Sequence, residues 1–156
     1  MQISLFFFGN PDRGDDAVGE ALYQWAQHYF SQPDKLAEGI ELRQVLDFQL
    51  EPEHIFDLEG SALGIFVDCH AACERAVVWQ TVPVGSQLMF SSHSLTAESL
   101  LFLYENTLKK PAPPCYLLGI RGEDFSLGKA MSPATQKALE LAKLQLAHRL
   151  RQADFA

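Results

Sequence analysis

Residues 3–19 read ISLFFFGNPDRGDDAVG. The apolar run 3–8 breaks at Gly9-Asn10 and a helical pattern starts at Asp15-Asp16, so the stretch reads as strand, loop and helix, half of a βαβ unit. The run shows no polar alternation, as expected of a strand covered on both faces in the middle of a parallel sheet. Gly9, Asn10, Pro11, Asp12 and Gly14 are turn formers, and the paired carboxylates that follow them carry the chemical interest.

Downstream, Val18, Leu22, Trp25 and Tyr29 recur at helical spacing with Ala21 beside them, which predicts a helix over 15–30 with one buried stripe. Residues 31–39, with Pro33, close it. Ile40, Leu42 and Leu46 mark a second, more polar strand near the sheet edge. Glu51-Pro52-Glu53 reads as the start of a short helix that ends at Gly60, with proline in the first turn, where its missing N–H costs nothing. Residues 62–67, ALGIFV, form the second fully apolar strand and deliver Asp68 at its carboxyl end. Only residues 68–75 separate it from the β-branched run 76–82. A parallel crossover needs about a dozen or more, so this next strand should be antiparallel to its predecessor and at the edge.

Residues 83–93 are expected as a loop. From Ser94 or Thr96 onward, Ala97, Leu100, Leu101, Tyr104 and Leu108 form a helical stripe, with Glu98 in its first turn. The breaker KKPAPP at 109–114 precedes a last strand at 115–120. Ser132 is placed to cap a final helix with Pro133 at its first position and Thr135, Leu139, Ala142, Leu146 and Leu150 along one face. The order β-α-β-α-β-β-α-β-α predicts one α/β domain over 1–156, a three-layer αβα sandwich on a mostly parallel five-stranded sheet of order 2-1-3-4-5.

With 156 residues the chain can bury about 70% of its unfolded surface without a staple. Its apolar share of 47% and charged share of 21% are ordinary for a globular protein and exclude a disordered one. A formal net charge of −8 disfavours nucleic acid and anionic membrane as partners and suits a cationic or metal-bearing one. Cys69, Cys73 and Cys115 are an odd number, and the N-terminal apolar run is too short for a secretory signal and has no basic leader. Reduced, dispensable cysteines and a cytoplasmic location are therefore expected. No run approaches a transmembrane span.

Open α/β sheets bind ligands beyond the carboxyl ends of their strands, where the connections switch direction. Here that point lies between the first strand, followed by Asn10, Asp15 and Asp16, and the third, ended by Asp68. One aspartate suffices to cap a helix. A second beside it adds like-charge repulsion, which a ligand would relieve. His93 is either a solvated loop residue before a helix or a donor. The acidic pair, Asp68 and His93 together form a donor set for a borderline divalent metal with open positions, and nickel and zinc both suit it. Cys69-His70-Ala71-Ala72-Cys73 could begin a zinc site, but a structural site needs four ligands and no second cluster is present. Gly9-x4-Gly14 after a strand hints at a phosphate loop. It lacks the Lys-Ser/Thr ending and carries three aspartates, which would repel phosphate.

Gly9-Asn10-x4-Asp15-Asp16-x2-Gly19 after the first strand, Val67-Asp68 at the end of the third and His93 before a helix together resemble the endopeptidases that complete maturation of the large subunit of nickel-iron hydrogenases. Phe48-Gln49-Leu50-x-Pro52-Glu53 and Leu118-Gly119-Ile120 are fainter echoes. The chain departs from that pattern at Ala17 and over 69–74, where glycines are common. The resemblance implies that Asp16, Asp68 and His93 contact nickel, and that the nickel is carried by the precursor while the protease holds no metal tightly. It further implies one cut that releases a C-terminal extension; a monomer is expected. Asp15 and Asp16 are the candidate catalytic carboxylates: nickel could polarise the scissile carbonyl or generate hydroxide, or only position the substrate while an aspartate activates water. The rival reading is a non-catalytic binding module that docks a metal- or nucleotide-bearing ligand.

Overall fold

A computed structural model describes residues 1–91 and 94–156. Strand β1 (Gln2–Phe8) runs parallel to β2 (Glu41–Asp47) on one side and to β3 (Leu63–His70) on the other. Beyond β3 lies β7 (Cys115–Arg121), parallel to it, and beyond that β4 (Val77–Thr81), antiparallel to β7. The α/β class, the five-stranded mostly parallel sheet and the antiparallel edge strand match the expectation from sequence.

The expected order 2-1-3-4-5 does not hold: the observed order is β2-β1-β3-β7-β4, with the last strand inserted between the third and fourth. Burial explains the exchange. β7 hides four of its seven residues, whereas every residue of β4 stays partly or fully exposed. The more apolar strand takes the inner position and the more polar one the edge.

Alternation along the strands divides the core. Ile3, Leu5, Phe7, Ile65 and Val67 pack beneath α1 (Val18–Tyr29) and α4 (Pro133–Gln152). Phe6, Phe8 and Phe66 pack beneath α2 (His54–Leu58) and α3 (Ala97–Leu108). Phe6 and Phe66 stack with ring centroids 4.9 Å apart. Burying rings of this kind stabilises the fold by roughly 1.5–3 kcal/mol each. Asp68 and His70 continue the Phe66 side of β3 and so emerge on the α2/α3 face.

The expected Ser132 cap forms, and the helix expected from Ser94 or Thr96 is capped by Thr96. Thr96 accepts from Ser99 N at the start of α3, and Ser132 accepts from Thr135 N at the start of α4. Two boundaries differ. The helix expected from residue 15 opens as a 3-10 turn, Gly14–Ala17, before α1. The short helix begins at His54 instead of residue 51, because the His54 ring accepts from Glu51 N and holds 51–53 as a turn. A two-residue antiparallel pairing of β5 (Phe90–Ser91) with β6 (Ser94–Leu95) lies where a plain loop is expected. Among the described residues no helix is long and apolar enough to cross a membrane.

Candidate active site

The glycines of the first motif let α1 start directly against the end of β1. A Cβ on Gly19 would overlap the Phe8 carbonyl, and one on Gly9, whose φ is +146°, would overlap the Asp16 carbonyl. Only glycine permits both approaches. They bring the 3-10 turn over the carboxyl edge of β1, where Asn10 N donates to Asp16 Oδ2 at 2.6 Å.

Asp16 and Asp68 both line a cleft of about 1070 Å³ at the carboxyl ends of β1 and β3. Burial pushes the Asp16 carboxyl up from its ordinary range, against the Asn10 N–H and the Arg13 charge, which pull it down. Asp68 is pushed up to about 6, chiefly by burial and further by the Asp16 charge, while His70 and the Cys69 N–H act the other way. The two carboxylates thus feel each other across the switch point, with too little positive charge to neutralise them. Asp47, Glu51 and Glu98 also face the cleft, against Arg13 and the histidine His70. The lining of the cleft is therefore predominantly acidic.

Asp15 differs from its neighbour. Its carboxylate is fully buried and accepts from Glu123 N at 2.7 Å, Asp124 N at 3.0 Å, Ser132 N at 2.6 Å and Ser132 Oγ at 2.9 Å. Burial alone would raise its pKa, but these four donors outweigh it and bring the carboxyl to about 2. Neither aspartate caps α1. Asp15 instead ties the turn to the loop that follows β7 and to the first turn of α4. It does not line the cleft. A carboxylate with its oxygens occupied by four donors and its pKa depressed is a poor general base, so the geometry favours Asp16 over Asp15 for that role. The candidate base is then Asp16.

His93 lies outside the described residues. Leu95 and Thr96, which follow it in the sequence, line the same cleft as Asp16 and Asp68. Among the described residues no three His, Cys, Asp or Glu side chains gather to hold a metal. The Cys69-His70-Cys73 alternative gathers no metal site among the described residues, and the Cys69 side chain is buried in the α1/α4 side of the core. Burial pushes the thiols of Cys69 and Cys73 up, and that of Cys115 up to about 12. Thiols, not thiolates, are poor metal ligands. All three cysteines are free.

Asn10 is legible in the sequence as part of the first motif, whereas the roles of Arg13 and His54 are not. Asn10 acts through its backbone, and Arg13 is held by a hydrogen bond of its Nε to the Phe125 carbonyl at 3.3 Å. His54 is buried behind the cleft wall, seven residues after its partner Asp47.

No family model matches the sequence, and no curated protein matches it. Solved structures do. The hydrogenase maturating endopeptidase HybD from E. coli is 18% identical with a TM-score of 0.73, over 98% of this chain and 94% of that one. The [NiFe] hydrogenase maturation protease HycI from Thermococcus kodakarensis is 16% identical with a TM-score of 0.72, over 96% and 92%. A hydrogenase 2 maturation peptidase from a Thaumarchaeota archaeon is 17% identical with a TM-score of 0.62, over 96% and 98%. Along nearly its whole length, the chain has the fold of the hydrogenase maturation endopeptidases.

Proposed function

We propose that this protein is an endopeptidase that removes the C-terminal extension from a nickel-iron hydrogenase large-subunit precursor after nickel insertion. The observation that carries the reading is the facing pair Asp16 and Asp68, both raised in pKa, at the switch point of a fold shared with such proteases. In this reading Asp16, Asp68 and His93 contact the nickel that the precursor brings. Three donors without a thiolate hold a free ion weakly, so the ion and its remaining ligands arrive with the substrate. The nickel supplies Lewis acidity near the scissile carbonyl or orients the chain beside it. Asn10 N–H holds Asp16 Oδ2, so Asp16 offers Oδ1 either to the nickel or, as general base, to the proton of the attacking water. Specificity then becomes a check on metal loading, because the apo precursor lacks the contact that fills the acidic cleft.

The test incubates the protein with precursor prepared with and without nickel and follows the extension by mass spectrometry. Only the loaded form should be cut. Asp16→Asn and His93→Ala should slow cleavage by about 100-fold or more with folding preserved. Equal cleavage of both forms refutes nickel recognition, and tight binding without loss of mass refutes the peptidase.

A further inference from the structure

His54 is a buried polar residue that the proposed chemistry does not use. It opens α2, is 3% exposed, and has both ring nitrogens engaged. Nδ1 accepts from Glu51 N at 2.8 Å, and Nε2 lies 3.2 Å from Asp47 Oδ2, to which it donates. The ring stands edge-on to Phe6 and Phe8, with centroids 5.9 and 5.6 Å away. Its two partners are the two ends of the 47–51 segment, and every residue of that segment lines the cleft. Between them Phe48 lines the cleft with 67% of its surface exposed.

Asp47 links the clamp to the acidic turn. Its Oδ1 accepts from Phe48 N at 2.8 Å and its carbonyl accepts from Gly9 N at 3.2 Å, one residue before the Asn10 N–H that holds Asp16. One rigid ring with an acceptor on one side and a donor on the other can join both ends of a segment. An apolar side chain of the same volume would leave the Glu51 N–H without its acceptor and Asp47 Oδ2 without its donor. We infer that His54 is a positioning residue: by clamping Asp47 to Glu51 it fixes the cleft wall that presents Phe48 to the polypeptide substrate. This inference rests on the peptidase reading for the identity of the substrate, and on the structure alone for the clamp.

The test uses the full chain and two readouts. Amide hydrogen exchange reports the wall without any substrate. His54→Leu, which removes both bonds, should speed exchange at Glu51 and Phe48 while leaving β1 and β3 protected. His54→Asn, whose Oδ1 can stand in for Nδ1, should restore protection at Glu51. Unchanged exchange in His54→Leu would overturn the clamp. Steady-state cleavage of nickel-loaded precursor reports its purpose. His54→Leu and Phe48→Ala should each raise KM by about 5- to 10-fold and change kcat less, with His54→Asn intermediate. Phe48 is exposed, so its variant tests the wall even if His54→Leu fails to fold. A normal KM in Phe48→Ala, or an equal loss of kcat in His54→Asn and His54→Leu, would overturn the role in substrate positioning. If the unaltered protein cuts no precursor, the peptidase reading falls and the role in positioning a substrate falls with it, while exchange still decides the clamp.

Discussion

Asp15 and Asp16 occupy one turn, and their side chains leave it in opposite directions, one toward four donors and the other toward the cleft. The consequence for Asp15 is measurable. Its folded pKa of about 2 lies below the ordinary carboxylate value, so its stabilisation is complete above about pH 4 and disappears as pH falls through 2. The shift corresponds to about 2 kcal/mol. Asp15→Asn should lower the urea unfolding free energy by about that amount at neutral pH, and the deficit should close between about pH 4 and pH 2. A deficit that stays constant across that range would show that the carboxylate charge is not what the loop after β7 depends on. A repeated aspartate in a sequence says that a carboxylate is wanted twice. It cannot say that one copy serves the architecture, because the donors to Asp15 come from more than a hundred residues away.

At the scale of elements, β1 and α1 meet through a contact with no room for a side chain at Gly19. Alanine there would gain about 0.5–1 kcal/mol of helical preference, but overpacking against a strand backbone costs about 1–3 kcal/mol, so the loss should prevail. Gly19→Ala should therefore lower stability in urea by about 1–2 kcal/mol, whereas Gln24→Ala on the exposed side of the same helix should stay within about 0.5 kcal/mol. Equal effects at the two positions would remove the close-approach explanation of the motif. The strands at 3–8, 62–67 and 115–120 are legible in sequence because an uninterrupted apolar run has few places except an inner strand. Their order is less legible. Chain length correctly excluded a parallel link from β3 to β4, but whether β4 or β7 borders β3 depends on the burial each can tolerate, which local pattern does not encode. The site divides in the same way: Asp16 and Asp68 follow from the rule that ligands sit beyond strand ends, and the His54 clamp does not, since it appears only once α2 covers Phe6 and Phe8.

Taken whole, the molecule holds Asp68 at the end of its second fully apolar strand, beside another carboxylate and within a chain of net charge −8. The remainder of the fold carries that cost. In the unfolded chain Asp68 ionises near pH 4, while in the metal-free folded protein it does so near 6. The penalty is thus absent below about pH 4, grows between 4 and 6, and is complete above 6. Asp68→Asn should make the metal-free protein more stable at pH 7.5, by on the order of 1–3 kcal/mol, with no difference below about pH 4, and it should abolish precursor cleavage. Thermal midpoints measured in chelator across this range give the first part, and the mass-spectrometric assay gives the second. A variant less stable than the parent at pH 7.5 would mean that Asp68 is held by favourable contacts instead of being kept against its desolvation. A variant that gains stability and still cuts nickel-loaded precursor would separate the strained carboxylate from the chemistry.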